Sequence, residues 1–167
     1  MLSSENRRIL IIDDNPSIHD DFRKILGFAG EEESSLHEKA AILFGEAHRA
    51  KVADGFEIHS ALQGDESLEK ITEARRGGRP FAVAFVDIRM PPGMDGVETI
   101  EKAWNADPDL QFVICSAHSD YNGRDILTRL GVSDRLLLLR KPCDTAEILL
   151  IATALCEKWN VTQSARV

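Results

Sequence analysis

The chain has 167 residues, 43% of them hydrophobic and 29% charged, and a formal net charge of −8. That length suits one domain with a proper core, and the composition is ordinary for a globular protein. The acidic balance supplies no basic stripe for nucleic acid phosphates. No apolar run approaches the roughly 18 residues of a membrane span, and no signal-peptide apolar region opens the chain. Cys115, Cys143 and Cys156 form neither a CxxC nor a metal-ligand spacing, and Cys115 reads as a small buried hydrophobe. A cytoplasmic location is expected, with no direct nucleic acid or membrane partner.

Strand and helix signals alternate along the chain, the signature of a doubly wound α/β domain. The first strand is expected over Arg8–Ile12. Asn15-Pro16 then opens a helix as cap and first-turn residue, with Ile18, Phe22, Ile25 and Leu26 toward the sheet. Phe56–Ala61 reads as a shorter second strand. Leu68 and Ile71 mark a helix running to Gly77-Gly78. Phe81–Val86 is the third strand, and Val97, Ile100 and Trp104 form the face of the next helix. Gln111–Cys115 is the fourth strand, followed by a helix from near Tyr121 to Leu130, and Leu136–Leu139 is the fifth. Asp144 and Glu147 resemble a capping box for the last helix, whose face is Ile148, Leu149, Ala152, Leu155 and Trp159.

The core is thus expected over residues 8–158 of a single domain spanning 1–167, with a short polar tail at 160–167. Between the first helix and second strand lies an insertion of about 25 residues, at 28–53, far longer than usual. Ser35-x-x-Glu38 reads there as a capping box, and Leu36, Ala40, Leu43, Phe44 and Ala47 make a helical apolar stripe. An extra amphipathic helix over Ser35–Ala47 is expected to pack on its own domain, with a homodimer surface as the alternative.

Four apolar runs each end on a polar residue: ILIIDD on Asp13 and Asp14, FAVAFVD on Asp87, QFVICSA on Ser116 and RLLLLRK on Lys141. In an open parallel sheet, functional groups sit beyond the carboxyl ends of the strands. The flavodoxin-like order 2-1-3-4-5 is taken over from known sheets of this kind and not read from this chain. It puts Asp87 between the Asp13-Asp14 pair and Ser116, with Lys141 one strand further out. Carboxylates crowded to 4 Å repel by roughly 4 kcal/mol per pair at an effective dielectric near 20. A magnesium ion, a hard cation that takes carboxylate and phosphate oxygens, removes that penalty. Asp87 is then placed to attack phosphorus, with Lys141 neutralising charge and Ser116 donating a hydrogen bond.

This pattern resembles the receiver domain of bacterial response regulators. Asp13-Asp14, Val86-Asp87, Met90-Pro91 with Met94-Asp95-Gly96, Ser116-Ala117 and Lys141-Pro142 carry the likeness, in order and at strand ends. It covers the framework from about Arg8 to Lys158 without the Gly27–Asp54 segment. The resemblance implies that Asp87 is the phosphoacceptor and that Asp13, Asp14, Asp87 and the backbone carbonyl of Arg89 hold magnesium. Ser116 and Lys141 would contact the phosphoryl group. It further implies a sensor histidine kinase or histidine phosphotransfer protein as donor, and a downstream effector domain or protein as target. A cis Lys141-Pro142 peptide is expected on the same ground.

The sequence departs from the family in two places. The loop after Asp87 is one residue longer than the common form, and Leu138 stands where many receivers carry an aromatic residue. By the resemblance, Arg89 and His118 flank the site, whereas His19, His37, His48 and His59 read as surface or insertion residues. A haloacid-dehalogenase-like phosphatase is the rival enzyme reading. It needs an acid two residues after the nucleophile, where this chain has Arg89. A degenerate receiver that only binds proteins is the second rival, and retention of every acid and the lysine argues against it. The chain is therefore expected not to be an enzyme beyond its own phosphorylation and slow dephosphorylation. Its output is expected through contacts or through a longer chain.

Overall fold

The computed structural model describes residues 5–27, 55–117 and 123–166. In chain order these form β1 (Arg8–Ile12), α1 (Pro16–Leu26), β2 (Glu57–Ala61), α2 (Gly64–Arg76), β3 (Val83–Asp87), α3 (Gly96–Ala106), β4 (Gln111–Ser116), α4 (Gly123–Leu130), β5 (Leu136–Arg140) and α5 (Thr145–Ala165). All strand pairs are parallel and the sheet order is β2-β1-β3-β4-β5. The expected five-stranded doubly wound α/β fold is therefore the one observed. The insertion at 28–53, with its expected helix, lies outside the described residues, as does His118.

Period-two alternation sends each strand's residues to two separate cores. Ile9, Ile11, Val83, Phe85, Val113 and Cys115 meet Phe22 and Leu26 of α1 and Ile148, Leu149, Ala152 and Leu155 of α5. Leu10, Ile12, Ala84, Val86, Phe112 and Ile114 pack on the other face against Ile71 of α2, Val97 and Ile100 of α3 and Ile126 of α4. Burying both faces is why these runs are nearly continuous in apolar residues.

Caps fix where the helices start. The Asn15 side chain accepts from the Ser17 amide at 3.1 Å, with Pro16 in the first turn. Asp95 accepts from Glu98 N at 2.8 Å, opening α3 just past the loop that follows Asp87. Asp144 caps α5 as expected, although its oxygen meets the amide of Ala146 rather than that of Glu147.

Three element ends differ from the sequence reading in ways that matter. Asp87 and Ser116 are the last ladder residues of β3 and β4, so strand pairing fixes their backbones. The polar tail at 160–167 is not a loose end, because α5 continues to Ala165. Its polar groups have partners: Asn160 exchanges hydrogen bonds with the backbone of Asn6, and Arg166 pairs with Asp109 at 2.7 Å. Helical periodicity could not show that, since the helix is held there by polar contacts.

Candidate phosphoacceptor site

The carboxyl ends of β1, β3 and β4 and the turn after β5 converge at one edge of the sheet. Ligand oxygens of Asp13, Asp14 and Asp87 all lie within 4.8 Å of one another. Lys141 Nζ stands 3.3 Å from Asp87 Oδ1 and 3.6 Å from Asp13 Oδ2. The Lys141-Pro142 peptide is cis, as expected, and the Pro91-Pro92 bond in the lengthened loop is cis as well. The Lys141 amide donates to the carbonyl of Ser116 at 2.8 Å, which extends the β4–β5 pairing to the lysine itself.

Burial differs sharply across the cluster. Asp13 is buried, Asp87 half-buried and Asp14 exposed, so the acids form a floor that opens to solvent at one corner. Burial pushes the Asp87 carboxyl above its ordinary range; Lys141 opposes this, and the charges of Asp13 and Asp14 add to it. Burial pulls the Lys141 ammonium down, yet Asp87 and Asp13 outweigh it and raise the group above the ordinary lysine value. Negative charge contributes to both shifts, adding to burial at Asp87 and overcoming it at Lys141, because the site gathers more carboxylates than the Lys141 ammonium balances. An all-oxygen donor set with surplus negative charge fits a hard divalent cation such as magnesium.

The loop from β3 to α3 closes tightly behind the acceptor. The Gly96 amide donates to the Ile88 carbonyl at 2.8 Å. A Cβ on Gly96 would fall 2.5 Å from the Asp87 carbonyl oxygen, so only glycine permits this approach. Arg89 stands exposed in this loop, two residues beyond Asp87. Buried Ser116 ends β4 beside Arg140, next to the strand that leads to Lys141.

His19 corrects the surface assignment made from sequence, because it is 2% exposed. Its Nε2 lies 2.7 Å from the backbone oxygen of Asp13 and its Nδ1 2.9 Å from Ser60 Oγ. A carbonyl can only accept, so Nε2 carries the proton and Nδ1 takes the Ser60 hydroxyl hydrogen. Arg23 donates to the same Ser60 oxygen from the other side. The chain Arg23–Ser60–His19 thus holds the backbone of Asp13 in place. His19, Phe22 and Leu26 are the buried residues of α1, a helical spacing that was present in the sequence. His59, in contrast, is half-exposed on β2 and pairs with Glu57 at 2.8 Å, in keeping with a surface role.

Fold and site together define a receiver domain. The model of the response regulator receiver domain family matches residues 46–153, and the chain belongs to that family. The match takes in Asp87, Ser116 and Lys141 but starts after Asp13 and Asp14, which the inserted segment separates from the remainder. The chain is 34% identical over 92 residues to the uncharacterised transcriptional regulatory protein YesN of Bacillus subtilis (strain 168), covering 55% of this chain and 23% of that one. It is 32% identical over 111 residues to the transcriptional regulatory protein PrrA of Mycobacterium leprae (strain TN), covering 66% and 44%. The chain thus spans less than half the length of these relatives. Among solved structures, the fold is shared with an adenylate cyclase structure from Rhodopirellula baltica at a TM-score of 0.69 and 23% identity, covering 96% and 95%. It is likewise shared with a CheY-like response regulator receiver domain protein from Methanospirillum hungatei JF-1 at 0.63 and 23%, covering 92% and 95%. The protein is a receiver domain of two-component signalling.

Proposed function

We propose that Asp87 accepts a phosphoryl group from a phosphohistidine on a sensor histidine kinase or a histidine phosphotransfer protein. The observation that carries this is the reach of Lys141 to both Asp87 and Asp13, beside three clustered carboxylates at strand ends. An Asp87 oxygen attacks phosphorus, the P–O bond forms, and the P–N bond to the donor imidazole breaks. Lys141 balances charge on the transferred oxygens and the Ser116 hydroxyl donates to one of them. Asp13, Asp14, Asp87 and the Arg89 carbonyl would hold magnesium, which supplies further charge neutralisation when bound. His19, Ser60 and Arg23 hold Asp13 for that purpose.

The outcome is a changed surface read by a downstream effector domain or protein. With Arg89 two residues beyond Asp87, the chain lacks the acid that a haloacid-dehalogenase-type phosphatase needs there, so turnover of an external phosphoester is not part of this reading. The setting is cytoplasmic, and no described helix is long and apolar enough to cross a membrane. The test is incubation with a small phosphodonor, with and without magnesium, followed by intact mass measurement. One phosphoryl group is expected, hydroxylamine-labile, dependent on magnesium and absent from Asp87→Asn. Undiminished labelling of that variant would overturn the assignment.

A further inference from the structure

Two of the three cysteines, far apart in sequence, come together beside the acidic cluster. Cys115 sits in β4 with Asp87 on one side of its ladder and Leu139 on the other. Cys143 follows Lys141-Pro142 and packs against the same core as Cys115, its Sγ 3.8 Å from the Arg140 carbonyl. The two side chains lie close enough for their thiols to interact. Both line a cavity of about 720 Å³ between α1 and α5 whose wall also includes Asp87, Lys141, Phe22 and Ile148. Cys115 is buried, Cys143 is half-exposed, and neither is in a disulfide.

We propose that Cys143 and Cys115 form a peroxide-oxidisable dithiol whose intramolecular disulfide ties the strand end beside Asp87 to the turn carrying Lys141. The roles follow from access. Cys143, the more accessible, attacks hydrogen peroxide: the S–O bond forms, the O–O bond breaks and hydroxide leaves, giving a sulfenic acid. The Cys115 thiol then attacks that sulfur; the S–S bond forms, the S–O bond breaks and water leaves. The neighbouring Cys115 side chain, aided by the Lys141 ammonium, holds the Cys143 thiol below its ordinary value, which suits an attacking sulfur. A disulfide here constrains the Lys141 turn against β4, so oxidation is expected to slow phosphoryl uptake.

The inference goes beyond the phosphoacceptor reading, and its first readout is independent of it. The reduced full chain is treated with hydrogen peroxide, alkylated and weighed intact. Two of the three thiols should resist alkylation, with loss of the mass of two hydrogens and a single linked peptide pair joining Cys115 to Cys143, reversed by dithiothreitol. In Cys115→Ala, oxidation should stop at a Cys143 sulfenic acid that dimedone traps. Full alkylation of both cysteines after peroxide would overturn the proposal, as would a disulfide through Cys156 or between two chains. In the second readout, magnesium-dependent phosphoryl uptake should fall several-fold on oxidation, return with dithiothreitol and be insensitive to peroxide in Cys143→Ser. Equal uptake by oxidised and reduced protein would overturn the link to the site.

Discussion

Asp87 carries its charge against its surroundings. Because folding raises its pKa, through burial and the neighbouring acids, the folded state favours the neutral carboxyl. The stability it contributes is complete below the ordinary carboxylate pKa and is lost as pH rises through the higher folded value. At neutral pH the ionised group therefore costs stability, and Asp87→Asn should raise the thermal midpoint. The gain should vanish in acid, where Asp87 is protonated; an equal or lower midpoint at neutral pH would contradict this. His19 supports the neighbouring strand end in the opposite way, by leaving nothing unsatisfied. His19→Leu leaves the Asp13 carbonyl without this donor and the Ser60 hydroxyl hydrogen without its acceptor, at a cost of about 1–3 kcal/mol in unfolding stability. Magnesium affinity by calorimetry should fall in that variant and recover in His19→Gln, which restores a donor toward Asp13. Equal affinities in Leu and Gln variants would reduce His19 to a packing residue.

At the scale of elements, the apolar runs of β1, β3 and β4 announced those strands because each is buried on both faces, and Asn15 and Asp144 marked helix starts through cap chemistry alone. Less legible was whatever depends on contacts between distant residues. The partnership of His19 with Ser60 and that of Cys115 with Cys143 each need the assembled sheet. The last turns of α5 need Asn6 and Asp109. The tight β3–α3 loop shows the same dependence: Gly96→Ala puts a methyl 2.5 Å from the Asp87 carbonyl. Overpacking of that kind costs about 1–3 kcal/mol and should also slow phosphoryl uptake by displacing the acceptor. On the sheet's outer edge, Glu57 of β2 meets Arg8 at 2.6 Å, His59 at 2.8 Å and Arg79 at 3.0 Å. His59 first, then Arg8, hold its carboxyl down at about 2. A lowered folded pKa contributes stability that is present above the ordinary glutamate value and lost as pH falls toward 2. Glu57→Gln should lower the unfolding midpoint at neutral pH, modestly because the side chain is 45% exposed, and match the parent near the bottom of that window.

For the whole molecule, the acidic site is a local concentration within a chain of net charge −8, with three carboxylates gathered where β1 and β3 end. Asp13 and Asp14 come from the end of β1, Asp87 from β3 and Lys141 from the turn after β5, so the sheet must be assembled before the cluster exists. An unfolded chain offers a divalent cation only scattered carboxylates. Binding of magnesium to the folded form alone must then raise global stability by mass action, by about 2.7 kcal/mol at a hundredfold excess over Kd. For a chain of this length that corresponds to a rise of about 5–10 °C in the thermal midpoint. The rise should be reversed by a chelator and reduced in Asp13→Asn. Asp87→Asn should show a smaller magnesium response from a higher starting midpoint, because the substitution has already relieved part of the repulsion the cation relieves. A midpoint indifferent to magnesium in the parent protein would separate the charge cluster from any cation role, leaving Lys141 as its counter-ion.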